Sequence, residues 1–172
     1  MIREISLTEI YKVHQVYERL SPASKRTYRS IVFGIPRSPI WFIAQVFMIN
    51  SYIPIGKIRL LTKLYKYILY VAVKRDDFLG FVSVTVQKPS TSYGPSARLA
   101  IAVDDSHQGK GIGSQLLLAI IARCRKERIR TIYLDVAEAN HRGISLYEKN
   151  GFVPTSMSSE RYEKIIRMEL VL

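Results

Sequence analysis

A short run of glycines around a lysine is the part of the sequence best suited to chemistry. It lies in V-D-D-S-H-Q-G-K-G-I-G-S-Q-L-L, residues 103–117. Glycines let a backbone approach an anion closely, and amides at the start of a helix point at the anion with the helix dipole behind them. The run therefore indicates an anion-binding turn, and a merely flexible strand-to-helix turn is the alternative.

Single residues exclude two common phosphate-binding motifs. A P-loop needs Ser or Thr after its lysine, whereas Lys110 is followed by Gly111. A dinucleotide fingerprint needs a third glycine where this chain has Ser114. The spacing that remains is Gln-x-x-Gly-x-Gly, formed by Gln108, Gly111 and Gly113.

The elements that must position this turn begin with a strand and a helix. M-I-R-E-I predicts a short first strand, and Ser6 or Thr8 can cap the helix that follows. Its apolar residues recur at helical spacing, at Ile10, Val13, Val16, Tyr17 and Leu20. No repeat, linker or low-complexity tract divides the chain, so we expect a single domain over residues 1–172.

Strands dominate the chain after residue 64. Residues 65–77 and 78–88 predict a hairpin that turns at Arg75-Asp76-Asp77, and residues 97–103 predict a third strand. A helix follows to about Glu127, with one apolar face at Ile112, Leu116, Leu117, Ile120, Ile121 and Cys124. A strand at 131–137, a short helix closed by Gly151 and two final strands complete an α+β fold around one sheet.

Two motifs in order resemble the GNAT superfamily of N-acetyltransferases, in particular its ribosomal-protein and N-terminal acetyltransferase branch. The first is V-x-x-x-x-Q-G-K-G-I-G, and the second is L-D-V-A-E-A-N-H-R-G-I-S-L-Y-E-K-N-G-F, residues 134–152. The resemblance extends from about Leu79 to the C-terminus. It implies a twisted, mostly antiparallel sheet flanked by helices, with a V-shaped splay between the strands at 97–103 and 131–137.

The resemblance also implies a cofactor, acetyl-CoA, and residues that hold it. The amides of the turn would bind the pyrophosphate, and Lys110 would add positive charge. Strand 101–103 would run beside the pantetheine arm, and Asn140 would hydrogen-bond that arm or the neighbouring backbone. The implied cofactor-binding set is Ile101, Ala102, Val103, Gln108, Gly109, Lys110, Gly111, Ile112, Gly113, Ser114, Asn140 and Tyr147.

For the chemistry, the resemblance implies that Tyr147 protonates the departing thiolate. Asp135 occupies the position of a possible general base, and a hydrogen-bonding role at the strand end is the alternative. Glu138 and His107 are reserve candidates, and bulk water is another. We expect no metal, since the histidines lack ligand spacing and Cys124 is the only cysteine.

The charge of the chain bears on its partners. Lys and Arg number 26 against 14 Asp and Glu, a net charge of +12 that attracts polyanions or serves solubility alone. Nucleic acid is one candidate, but most of the basic cluster at Arg123, Arg125, Lys126, Arg128 and Arg130 fits the end of a helix, where cations favour the dipole. The basic, aromatic residues 1–66 favour a protein or peptide acceptor over a polyamine, and residues 67–172 form the expected acetyl-CoA-binding core.

The expected function is acetyl transfer from acetyl-CoA to a protein α-amine or lysine. A small-molecule amine acceptor and a non-catalytic acyl-CoA-binding or nucleic-acid-associated domain are the alternatives. Residues 39–56 are apolar but interrupted by Gln45, Asn50 and Pro54, which predicts a buried or partner-facing helix, with a dimer surface possible, rather than a membrane span. The charged start of the chain lacks the apolar core of a signal peptide and predicts a cytoplasmic protein.

Overall fold

The computed structural model describes residues 1–6, 9–22, 24–25, 65–87, 94–160 and 163–172. The apolar segment 39–56 and most of the predicted acceptor region therefore lie outside the described residues. The elements in chain order are β1 Ile2–Glu4, α1 Ile10–Arg19, β2 Tyr65–Lys74, β3 Asp77–Gln87, β4 Ser96–Val103, α2 Ile112–Lys126, β5 Thr131–Ala137, α3 His141–Glu148, β6 Val153–Glu160 and β7 Glu163–Val171.

One sheet of seven strands in the order β1-β2-β3-β4-β5-β7-β6 organises the described chain. Every neighbouring pair is antiparallel except β4 and β5, which run parallel. Their pairing spans only Ser96–Arg98 against Thr131–Tyr133 and stops there, although both strands continue. The predicted α+β fold and its splay between these two strands are confirmed.

The sheet separates two apolar layers. On one face α2 packs its predicted stripe against the strands, and the buried residues of that helix are Leu116, Leu117, Ile120, Ile121 and Cys124. On the other face α1 contributes Val13, Val16, Tyr17 and Leu20, which pack against β2, β3 and β4. The two helices therefore hold the sheet from opposite sides, and alternate residues of β4 face each layer.

The start of α1 differs from the prediction. The helix begins at Ile10 with Glu9 at its N-cap position and no side-chain cap, so Ser6 does not cap it, and Thr8 lies outside the described residues. Instead the Ser6 carbonyl accepts the Glu9 amide at 3.0 Å. The Glu9 carboxylate takes two hydrogen bonds of 2.8 Å from Arg3, which ties β1 to the helix.

Two predicted boundaries also shift. The hairpin turn consists of Arg75 and Asp76, because Asp77 already pairs with Lys74 at the start of β3. The division placed after residue 66 falls inside β2, and β1 pairs with that strand in the same sheet. No helix within the described ranges is long and apolar enough to cross a membrane.

Candidate active site

A cavity of about 660 Å³ opens where the end of β4 that no longer pairs with β5 meets the turn before α2 and one side of α3. It contains every residue of the predicted cofactor-binding set except Lys110. The other lining residues were not predicted as ligands, and they are His107, His141, Arg142, Gly143, Ser145, Leu146 and Lys149. The fold thus brings the two sequence motifs together in one place.

The glycine turn (residues 108–114) has the geometry that its sequence predicts. Gly109 and Gly111 have φ angles of 74° and 77°, which glycine adopts without steric cost. A Cβ on either would meet no atom within 4 Å, so open space lies beside the backbone of the turn. Gly111 is also the N-cap of α2, which directs the first amides of that helix toward the cavity mouth. This arrangement fits an anionic group.

The charges around the cavity also favour an anionic ligand. Its lining includes Arg142, Lys149 and two histidines, His107 and His141, and no Asp or Glu among the described residues. Lys110 does not line it, because its ammonium turns back to the Ser106 carbonyl at 2.8 Å. A cavity with this lining suits a long ligand that carries phosphates at one end.

Asn140 begins α3 beside the cavity. Its Oδ1 accepts the Gly143 amide at 3.0 Å, which makes it the N-cap of that helix. A Cβ at position 143 would lie 2.6 Å from Asn140 Nδ2, so a larger residue there would displace the capping side chain. The Asn140 side-chain oxygen therefore caps α3, a role that was not predicted from the sequence.

Tyr147 lines the same cavity from the second half of α3. Its side chain is 3% exposed, and its ring packs against Phe152 with centroids 5.8 Å apart. Burial raises the pKa of its phenol above the ordinary value, which keeps the group protonated at neutral pH. Its hydroxyl makes no hydrogen bond with any described residue, which leaves it available to a ligand.

Asp135, like Lys110, lies outside the cavity lining. It is 7% exposed, and its Oδ1 accepts Arg167 Nε at 2.8 Å while its Oδ2 accepts Arg98 NH2 at 2.9 Å. Two guanidinium groups therefore occupy both oxygens. Of the two roles left open by the sequence, this arrangement favours the hydrogen-bonding one, because a general base needs a free oxygen within reach of the substrate.

The loop between β4 and the glycine turn contains carboxylates that sequence reasoning missed. Asp104 is buried and accepts Ser106 N at 3.0 Å, and Gln108 Nε2 donates to Asp105 Oδ1 at 2.7 Å and to the Val103 carbonyl at 3.2 Å. Asp-Asp-Ser before a helix is a signal for such local side-chain turns. No group of three or more His, Cys, Asp or Glu in the described ranges could hold a metal ion.

Comparison with known proteins gives a family match. A family model described as the acetyltransferase (GNAT) family matches residues 39–152. An L-methionine sulfoximine/L-methionine sulfone acetyltransferase of Pseudomonas aeruginosa is 28% identical over 85 residues, 49% of either chain. A ribosomal protein bS18-alanine N-acetyltransferase of Escherichia coli is 36% identical over 62 residues, 36% of this chain and 42% of that one. The matches thus span about half or less of these curated relatives.

Solved structures share the fold. A ribosomal-protein-alanine N-acetyltransferase from Brucella melitensis has a TM-score of 0.75 and 17% identity, covering 100% of this chain and 99% of that one. A putative acetyltransferase from Salmonella typhimurium, solved with acetyl-CoA, has a TM-score of 0.68 and 16% identity, covering 99% and 92%. At these identities the likeness concerns the fold alone.

Proposed function

The chain belongs to the acetyltransferase (GNAT) family, and on that premise we propose that it transfers an acetyl group from acetyl-CoA to a primary amine. The observation that carries the proposal is that residues of both sequence motifs line one cavity. One family motif supplies an open, carboxylate-free glycine turn, and the other supplies a buried, protonated tyrosine in the same lining. The glycine turn would bind the cofactor, and the tyrosine would supply the acid that protonates the departing thiolate.

Acetyl-CoA supplies the activated acetyl group, and the residues present fit it. The glycine turn would hold the pyrophosphate, and the edge of β4 at 101–103 that faces away from β3 would hydrogen-bond the pantetheine amides. Arg142 and Lys149 add positive charge to the same lining, which suits the phosphates of the ligand. The splay supports this placement of the pantetheine arm. Beyond Arg98 no β5 residue pairs with β4, so that edge of the β4 backbone can bond a ligand.

Tyr147 is proposed as the acid. The amine nitrogen forms a bond to the acetyl carbon as the carbon–sulfur bond breaks, and the Tyr147 hydroxyl gives its proton to the departing sulfur. Water then returns a proton to the Tyr147 oxygen. The raised pKa of this phenol keeps it protonated at neutral pH before the transfer. A tyrosine fixed by packing against Phe152 also needs little reorganisation.

We propose no side-chain base at Asp135. Both of its oxygens bind arginines, so its role is to hold β4, β5 and β7 together through Arg98 and Arg167. The amine would then lose its proton to water. His107, a reserve candidate, sits at the glycine end of the lining next to Gln108, whereas Tyr147 occupies α3.

The acceptor is proposed to be a protein or peptide amine held by residues 1–66. The bS18-alanine relative acts on a ribosomal protein, and the net charge of +12 disfavours a polycationic small amine. A small amino-acid acceptor is the second candidate, because the Pseudomonas relative acetylates methionine sulfoximine and sulfone.

The test is release of the CoA thiol on incubation with acetyl-CoA and three acceptors. These are a peptide with a free α-amine and no lysine, an Nα-acetylated lysine peptide, and L-methionine sulfone. The proposal expects turnover with the free α-amine or lysine peptide above the rate without acceptor. Turnover with the sulfone alone would move the acceptor to small amino acids. No acceptor-dependent release from a broad peptide library would leave acyl-CoA binding without catalysis.

A further inference from the structure

The C-terminal end of α1 is hydrogen-bonded to the loop that leads into the glycine turn. Ser21 and Ser24 follow this helix on the α1 face of the sheet, and neither lines the cavity. Asp105 lies two residues after the end of β4, in a 3-10 turn of residues Asp105–His107. The bonds between these residues connect positions that are more than eighty residues apart in the chain.

Asp105 accepts hydrogen bonds from three donors on its two carboxylate oxygens. Oδ2 accepts the Ser21 backbone amide at 2.5 Å, and Oδ1 accepts Ser24 Oγ at 2.6 Å. The same Oδ1 accepts Gln108 Nε2 at 2.7 Å. One carboxylate therefore joins two residues that follow α1 to the first residue of the glycine turn.

The hydrogen bonds of Asp105 reach the lining of the cavity through Gln108. Gln108 lines the cavity, and its Nε2 also donates to the carbonyl of Val103, another lining residue, at 3.2 Å. The position of the Gln108 side chain thus depends on Asp105, which in turn depends on Ser21 and Ser24. A second contact reinforces the first, because Asp104 Oδ2 binds Arg19 Nε at 2.9 Å at the last residue of α1.

We infer that Asp105 is a positioning residue through which the end of α1 sets the glycine turn and so the affinity for acetyl-CoA. This inference rests on the proposed function. It links the N-terminal region, which is proposed to hold the acceptor, to the seat of the cofactor by three hydrogen bonds. The acceptor side thereby influences cofactor binding without touching it.

Only an ionised carboxylate satisfies this set of donors. An asparagine would present one oxygen and one NH2 group, so at least one of the three donors would face another donor. Burial raises the pKa of Asp105, but the hydrogen bonds from Ser24 and Ser21 outweigh it, and the pKa lies below the ordinary aspartate value. The carboxylate is therefore charged at neutral pH, and its hydrogen bonds are charge-assisted.

The experiment is a calorimetric titration of acetyl-CoA into the wild type, Ser24→Ala, Asp105→Asn and the double variant. Asp77→Asn is the matched control, because Asp77 binds Arg19 at 2.9 Å but contacts no residue of the turn. We expect Kd to rise about two- to fivefold in Ser24→Ala and about three- to tenfold in Asp105→Asn, consistent with the loss of one or more hydrogen bonds. The control should stay within twofold.

Two readouts separate positioning from a merely structural role. The double variant should bind no more weakly than Asp105→Asn, since both substitutions break the same connection. Acetyl-CoA should also slow amide hydrogen exchange at Ser21, Ser24 and Lys25 in the wild type, and less so in Asp105→Asn. Ser24→Ala keeps the test decisive if Asp105→Asn fails to fold.

The outcomes are distinguishable. The inference is wrong, while the proposed function stands, if folded Ser24→Ala and Asp105→Asn bind acetyl-CoA as the wild type does. It is also wrong if acetyl-CoA does not change hydrogen exchange at the amides of Ser21, Ser24 and Lys25 in the wild type. If the wild type itself does not bind acetyl-CoA, both fail. Equal weakening in Asp77→Asn would assign the effect to general loosening of α1 and would also overturn the inference.

Discussion

Asp135 on β5 and Arg167 on β7 face each other in register, and the Arg167 Nε lies 2.8 Å from Asp135 Oδ1. The carboxylate is 7% exposed and Arg98 reaches it from β4 at 2.9 Å, so one side chain spans the parallel junction at which the sheet splays. The two ion pairs connect β4, β5 and β7 through the Asp135 carboxylate.

Asp135→Asn should destabilise the fold more than it slows the reaction. Loss of the charge between two arginines is expected to cost about 1–3 kcal/mol of unfolding free energy, measured by urea denaturation. Asp77→Asn, which removes an exposed ion pair with Arg19, should change that free energy by less than about 1 kcal/mol. A folded Asp135→Asn protein with kcat reduced a hundredfold would restore Asp135 as the base.

Tyr147→Phe should lower kcat with little change in the KM for acetyl-CoA. A general acid contributes about 10²–10⁴-fold, so we expect a loss in that range in a thiol-release assay. Tyr133→Phe is the control, because it removes the same hydroxyl from a tyrosine of β5 that does not line the cavity. Unchanged turnover in Tyr147→Phe would show that Tyr147 is not the general acid and only packs against Phe152.

Gly111→Ala should weaken acetyl-CoA binding. The φ of 77° is unfavourable for a residue with a Cβ by about 1–2 kcal/mol, although the surrounding space is open. Because the strained turn can relax in the free protein and must re-form to bind the ligand, we expect a Kd increase of up to roughly tenfold by calorimetry. Gly111→Asn should recover part of it, because asparagine tolerates this conformation. Equal Kd values for the alanine variant and the wild type would show that the turn does not hold the ligand.

Stability should fall in acid as Asp104 is protonated. Burial raises the pKa of this carboxyl, but hydrogen bonds from Ser106 and contacts with His107 and Arg19 lower it below the ordinary value. A carboxyl with a lower pKa in the folded than in the unfolded state stabilises the fold above its unfolded pKa, near 3.9, and that contribution is lost as pH falls through the folded pKa. Urea denaturation between pH 7 and pH 3 should show that the free energy of unfolding falls less in Asp104→Asn than in the wild type. Parallel pH profiles for the two proteins would contradict this assignment.

Cys124 should be inert in the native protein. Burial raises the pKa of its thiol to about 12, so only about one molecule in ten thousand carries the thiolate at pH 8. A chromogenic disulfide reagent should therefore react slowly with native protein and at once in denaturant. Rapid stoichiometric reaction of the native protein would mean that the α2 face of the sheet opens easily.

Periodicity was enough to predict the apolar faces of the helices and the main strands. The stripe of α2 and the described part of the α1 stripe are both buried as their spacing requires. The start of α1 could not be predicted from capping preference alone. Glu9 binds Arg3 of β1, and that tertiary contact decides where the helix begins.

Site residues that lie on one continuous segment could be predicted from the sequence. Contacts between residues of distant strands could not. The glycine turn and α3 each follow local patterns, so their residues meet in the cavity as the resemblance implies. The partners of Asp135 come from β4 and β7, far apart in the chain, and no local pattern reports that they converge. The same holds for Asp105 and Ser24, which lie 81 residues apart.

The most direct test of the account is a thermal shift with acetyl-CoA. A ligand at 100 times its Kd stabilises the folded state by about 2.7 kcal/mol, which should raise Tm by several degrees for a chain of this size. We predict this rise with acetyl-CoA and a smaller one with pantetheine, which lacks the phosphates that the glycine turn is proposed to bind. No shift at millimolar acetyl-CoA would contradict the central claim.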